Sequence, residues 1–368
     1  MRDPRHDRAL ATVLCAAVCL LAFAPGAPAQ QKVSADASSD IERGARFYTQ
    51  GNMKEAVKAY RSAVKLRRDD PAAWLALGQA LVGHGDLKEA RKALDTSIRL
   101  RPDYAPAHAS LAYLLMLTGR GRDADAAAER ALQLDPASAD AHYVAGLLRL
   151  NEQSWLKAAE HADRIIKLDP RAAVAYQLKA EALLGLYQRA GSILSEERRG
   201  AYDYDEKTVA AARESQPRLL REAADNIEAF LRLRPNYPDA DFLRSQVEAL
   251  RAYERGARPD DADGRIYSGS DLTATGATAK VTRAVITFKP EPQYTEEARR
   301  AGVSGVVRLR VVLGFDGRVR HVLVVKGLSH GLTGQAVRAA RGLRFTPATV
   351  NGLPVSQYVV LEYSFNVW

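Results

Sequence analysis

The residues able to do chemistry are few and badly spaced for it. Seven histidines and two cysteines occur in 368 residues. His108 and His142 are 34 residues apart, and stacked imidazoles could bring two nitrogen ligands together. A zinc site needs at least three protein ligands, so both are expected to pack rather than to bind metal. Gly302-Val303-Ser304-Gly305 lacks the spacing of a nucleophile elbow. Ser329 and His330 are lone neighbours in a polar loop. There is no glycine-rich phosphate loop, no H-E-x-x-H and no Cys/His zinc pattern. The expectation is a protein that is not an enzyme, with no cofactor and no metal.

Both cysteines, Cys15 and Cys19, lie in an apolar run from Ala9 to Ala24. Arg2, Arg5 and Arg8 precede it, and Pro25-Gly26-Ala27-Pro28-Ala29 supplies a breaker and an Ala-x-Ala pattern before Gln30. This has the layout of a signal peptide over 1–29. Its 16 residues fall short of the ~20 that a spanning helix needs. The expected location is the periplasm, after export. The alternative is an uncleaved inner-membrane anchor facing the periplasm, and membrane contact is expected only in that case. Cleavage would leave no cysteine, hence no disulfide framework.

The net charge of +9 is unevenly spread. Residues 30–279 carry 37 basic and 37 acidic side chains, whereas 280–368 carry 13 and 5. The field that draws anionic partners therefore belongs to the last quarter of the chain. Export argues against nucleic acid as that partner.

Positioning comes from a repeat. Pro102, Pro136 and Pro170 are spaced by 34, as are Ala56, Ala90, Ala124 and Ala158. Gly44, Gly78 and Gly146 share another phase. Each unit reads as two amphipathic helices, such as Trp74–Leu81 and Leu87–Leu100, broken by Gly83 and Gly85 and stopped by a proline. Trp74, Leu77, Gly78, Ala90 and Pro102 fall on the signature of the tetratricopeptide repeat (TPR), which the chain resembles. Repeats are expected at 37–70, 71–104, 105–138 and 139–172. A fifth carries an insertion near 187–216, and a capping helix over 238–255 completes a solenoid spanning 37–255. In the family, positions 2, 5, 9 and 12 of each first helix face a concave groove. Here these include Tyr48, Gln79, Val82, Tyr113, Met116, Tyr143, Leu147 and Leu150, an apolar and aromatic set suited to a partner. The insertion has an alternative place, folded back over that groove.

Residues 256–281 lose all periodicity and read as a flexible linker. From 282 the period becomes two. Val307, Leu309, Val311 and Leu313 alternate with Arg308, Arg310 and Val312, as in a half-buried strand. Asp316-Gly317 marks a hairpin, and a second strand carries Val319, His321, Leu323 and Val325. A helix is expected over Leu332–Leu343 with Thr333 as N-cap, and a last strand over Val355–Val367. Thr295 to Ala301 reads as a short capped helix ended by Gly302.

Pro292-Gln293-Tyr294, Ala298-Arg299-x-x-Gly302, Gly305-x-Val307, Asp316-Gly317-x-Val319, Phe345-x-Pro347-Ala348 and Asn351-Gly352-x-Pro354-Val355 together resemble the C-terminal domain of the TonB family. Thr295 stands where that family usually has proline. The implied fold class is multidomain: an all-α TPR solenoid, then a small α+β TonB C-terminal-like domain over 282–368 with a three-stranded antiparallel sheet. The resemblance implies that an extended peptide of an outer-membrane receptor adds to the sheet as a strand. The implied contacts are Gln293, Tyr294 and the edge residues Gln357, Tyr358, Val359, Val360, Leu361, Glu362 and Tyr363. Protein partners are therefore expected: receptor peptides or other envelope proteins. The expected function is a periplasmic adaptor. One alternative is an inner-membrane-anchored energy transducer for outer-membrane transport, the family's usual role. Another is a structural envelope protein that binds peptidoglycan or anionic lipid.

Overall fold

The computed structural model describes residues 28–198, 200–237, 239–255, 266–267, 272 and 280–366. All but the last two residues of the proposed signal segment 1–29 lie outside them, as does most of the 256–281 linker. The described chain forms two compact units that divide between Lys179 and Ala180. The sequence placed the division in the linker instead.

The first unit is a run of helical hairpins: α1 (Pro28–Thr49), α2 (Met53–Leu66), α3 (Pro71–His84), α4 (Leu87–Leu100), α5 (Ala105–Leu117), α6 (Gly121–Leu134), α7 (Ala139–Asn151) and α8 (Trp155–Leu168). It also holds the start of α9 (Ala173–Arg198). Local chemistry sets the ends. Asp70 accepts from Ala72 N at 2.9 Å and Ala73 N at 3.3 Å, and Pro71 fills the first helical position. Gly85, at φ 98°, closes α3 in the left-handed region that glycine enters without strain.

A repeated side-chain bond explains one phase of the period. Trp74 Nε1 donates to Arg68 O at 2.9 Å, His108 Nε2 to Pro102 O at 2.9 Å, His142 Nε2 to Pro136 O at 3.1 Å, and Tyr176 OH to Pro170 O at 3.0 Å. Each ties a helix to the loop six residues before it. His108 and His142 thus share this job rather than each other, and His142 pairs with His161 instead, Nδ1 to Nδ1 at 3.0 Å. No group of three or more candidate ligands for a metal occurs among the described residues.

Small residues at the other phases let paired helices close. Ala56, Ala90, Ala124 and Ala158 are fully buried. A Cβ on Gly78 would lie 2.7 Å from Leu94 Cδ2, and one on Gly146 2.5 Å from Leu178 Cδ2, well inside van der Waals contact.

In the second unit the 187–216 insertion is absorbed as helix. It lengthens α9 to 26 residues and α10 (Glu206–Leu233) to 28. The predicted capping helix is α11 (Ala240–Arg255). The rest runs β1 (Ile266–Tyr267), β2 (Val281–Thr282), β3 (Val285–Phe288), α12 (Glu296–Arg300), β4 (Gly305–Leu313), β5 (Val319–Lys326), α13 (Leu332–Arg341), β6 (Arg344–Thr346), β7 (Ala348–Val350) and β8 (Leu353–Phe365). The three long strands β5, β4 and β8 are antiparallel, as expected, with β4 central between the other two. Short strands extend them: β7 and β2 continue the sheet beyond β8, β1 pairs with β8 in parallel, and β3 and β6 form a separate ribbon.

One face of β4 packs Val307, Leu309, Val311 and Leu313 against Leu332, Ala336 and Ala340 of α13. The other face corrects the expectation of a half-buried strand. Val312, read as outward, is completely buried with Leu323 beneath Leu219 and Leu220 of α10 and Val247, Leu250 and Tyr253 of α11. The apolar stripe assigned to a cap therefore covers the sheet. A second correction concerns Thr333. Gly331, at φ 79°, is the N-cap of α13, and the Thr333 hydroxyl donates to Leu328 O at 2.7 Å and accepts from Leu328 N at 2.8 Å. Thr295 does cap α12, accepting from Ala298 N at 3.2 Å.

Candidate functional site

Two places merit attention, one in each unit. The first is the rim of the sheet. Between Gln357 and Phe365 β8 pairs with β4 along its whole length. On its other side β7 takes residues 353–355 and β1 takes Ser356 and Gln357. From Val359 onward no second strand pairs with β8 among the described residues. The opposite rim is closed. Gln246 of α11, itself buried, donates from Nε2 to Val322 O at 3.0 Å and accepts at Oε1 from Val324 N at 2.9 Å. Gln188 Nε2 donates to Val325 O in the same way.

The predicted contact residues divide along this rim. Val360 is 60% exposed, and Glu362 is exposed and paired with Arg308 at 2.6 Å. Lys289 Nζ donates to Glu362 O at 2.7 Å. That carbonyl therefore faces away from β4, and two-residue alternation turns Val360 the same way. Gln293 is exposed. The others are committed internally. Gln357 is buried and accepts from Ala284 N at 2.8 Å. Tyr358 stacks on Tyr253 with ring centroids 4.8 Å apart. Arg310 lies 5.1 Å from both ring centres and donates to Tyr187 OH. Tyr294 donates to Val303 O and meets Phe365 edge-on at 5.9 Å. Leu361 and Tyr363 are core residues, and Val359 is half-buried. Burial pushes the Tyr363 phenol up to about 12, and its hydroxyl lacks a hydrogen-bond partner.

The second place is a shallow, mostly apolar hollow in the first unit. It crosses four first helices diagonally: Tyr48 from α1, Gln79 and Val82 from α3, Ala109, Ser110 and Tyr113 from α5, and Asp140 and Val144 from α7. Tyr48, Gln79, Val82 and Tyr113 belong to the predicted groove set. The other four do not line it: Tyr143, Leu147 and Leu150 are buried, and Met116 packs on a core with Ala112 and Leu115. Gln79 Nε2 donates to Ser110 Oγ at 3.0 Å.

Sequence reasoning missed Asp140. Burial pushes its carboxyl up from 3.8 to about 7. Among the described residues the carboxylate has no hydrogen bond and no ion pair. A signal existed: Asp140 holds position 2 of its repeat, one of the four groove-facing phases. Nearby, burial and then the charges of His142 and Arg149 push His161 down to about 4.

Residues 290–367 match the family described as the Gram-negative bacterial TonB protein C-terminal. Residues 41–105 and 109–173 match the tetratricopeptide repeat. The chain thus carries interaction repeats followed by a TonB C-terminal domain, an envelope domain of Gram-negative bacteria. Both are families of non-catalytic interaction domains. In fold it is similar to MamA, with 24% identity over 47% of this chain and 98% of that one and a TM-score of 0.34. It is also similar to pilF of Pseudomonas aeruginosa, with 16% identity over 58% and 99% and a TM-score of 0.38. YrrB, described as a TPR protein with an unusual peptide-binding site, gives 16%, 59%, 95% and 0.33 on the same measures. No curated protein sequence matches the chain. No described helix is long and apolar enough to cross a membrane.

Proposed function

We propose that the chain is a periplasmic adaptor. Its repeats hold one envelope protein. Its C-terminal domain takes an extended segment of another, an outer-membrane receptor peptide by preference, as a strand added to β8. The observation that carries this reading is the rim from Val359 to Phe365, which pairs with β4 on one side and, among the described residues, has no second strand on the other, while Gln246 bonds the opposite rim. Unpaired N–H and C=O groups along an edge are a template for strand addition. The surplus of 13 basic over 5 acidic side chains in 280–368 speeds encounter with an acidic segment.

Replacing Val360 by proline removes one outward N–H from this rim, a change that edge strands tolerate. Titration of a fluorescent receptor N-terminal peptide should show at least ~10-fold weaker binding, the loss of a ladder bond and its neighbours. A folded Val360→Pro variant that binds as tightly as the parent would rule out capture at this edge.

A further inference from the structure

Two other acidic side chains of the first unit have partners. Asp163 pairs with Lys179 at 2.7 Å, and Asp125 pairs with Arg149. Asp140 faces the hollow without a counter-charge. A half-buried carboxylate with no partner is costly to the fold, and burial raises its proton affinity accordingly. Around it the lining is aromatic and aliphatic: Tyr48, Tyr113, Val82 and Val144. Ring faces attract cations and pack well on methylene stems. The hollow opens to solvent on one side, so one long side chain of a bound peptide can reach the Asp140 carboxylate from outside.

We propose that this hollow binds an extended peptide by one lysine or arginine side chain, its stem between Tyr48 and Tyr113 and its charged head on the Asp140 carboxylate. The proposal rests on the reading of the repeats as the half that holds a partner, and it names what that partner must present. Selectivity is local here, because residues 30–279 carry equal numbers of basic and acidic side chains and so exert no long-range pull. A peptide with glutamate at the anchoring position meets a like charge there and is disfavoured.

The test is selection of a displayed random dodecapeptide library on the full-length protein, its Asp140→Asn variant and its Val360→Pro variant. Circular dichroism confirms that each is folded. The parent and Val360→Pro should enrich peptides with a fixed lysine or arginine between apolar residues. Those peptides should bind Asp140→Asn at least ~10-fold more weakly, as when one partner of a buried charge pair is removed. Enriched peptides without a fixed cation, or ones that bind Asp140→Asn equally well, overturn the cation anchor alone. If neither folded protein enriches any peptide that competes at the hollow, the repeats are not a peptide-holding part, and the wider reading falls with it.

Discussion

The hollow among the repeats and the rim of β8 present opposite kinds of surface. The rim offers main-chain groups, with Val360 and Glu362 pointing outward and most neighbouring side chains committed to the core. Main-chain pairing is nearly blind to sequence, so discrimination there must come from charge and from the few exposed side chains. The hollow offers side chains set on four helices. It can tell one residue type from another, but it gives little purchase to a peptide backbone. The proposed adaptor thus combines a permissive main-chain site with a selective side-chain one. Side-chain recognition here costs the fold a buried acid, whereas main-chain recognition costs it an unfinished sheet.

The largest expected effect breaks the rim and spares the hollow. Leu250 is fully buried where α11 meets the sheet. Leu250→Ala should lower the unfolding free energy of that unit by ~2–5 kcal/mol, read from its urea midpoint, and should weaken capture of the receptor peptide. Affinity for peptides selected on the repeats should stay unchanged. A matching loss there would mean that the two grips do not depend on separate packing.

Next in size, the buried acid should reveal itself in stability. The Asp140 carboxyl rises from 3.8 to about 7 in the folded protein. The native state therefore holds this proton more tightly than the unfolded chain. Below about pH 4 it carries no penalty, the penalty grows through the window between these two values, and it is complete above pH 7. Asp140→Asn should stabilise the first unit by on the order of 2–4 kcal/mol at pH 8 and not at pH 3.5. Thermal melts at the two pH values check this. An effect independent of pH would mean that the carboxylate is not desolvated.

The smallest effect sharpens the account of the rim. Arg308 and Glu362 form an exposed pair across β4 and β8. Arg308→Ala should change stability by under ~0.5 kcal/mol, while slowing association with an acidic peptide at low salt and not at high salt. Stopped-flow rates at two ionic strengths provide the measurement.

The sequence makes the local and repeated features legible. The 34-residue phase of Ala56, Ala90, Ala124 and Ala158 has one packing cause, so it recurs wherever that cause does. Asp316-Gly317 specifies a turn that forms with Gly314 N to Arg318 O at 2.9 Å. What stayed hidden depends on partners far along the chain. Val312 reads as the exposed member of an alternating strand because α10 and α11, which bury it, look like the end of a solenoid. Tyr358 reads as a free edge residue because Tyr253, its stacking partner, lies on a different predicted domain. Asp140 was visible by phase but not by environment. Only the assembled walls of four helices make an ordinary helix-start aspartate into a desolvated one.

The Gln246 amide has a consequence for assembly. An isolated sheet with two bare rims has two growth points, and identical copies could add head to tail without end. Gln246 occupies Val322 O and Val324 N, and Gln188 occupies Val325 O, which works against growth at the β5 rim. A copy approaching this rim finds those main-chain groups already bonded, so the capture proposed at β8 has no counterpart at them.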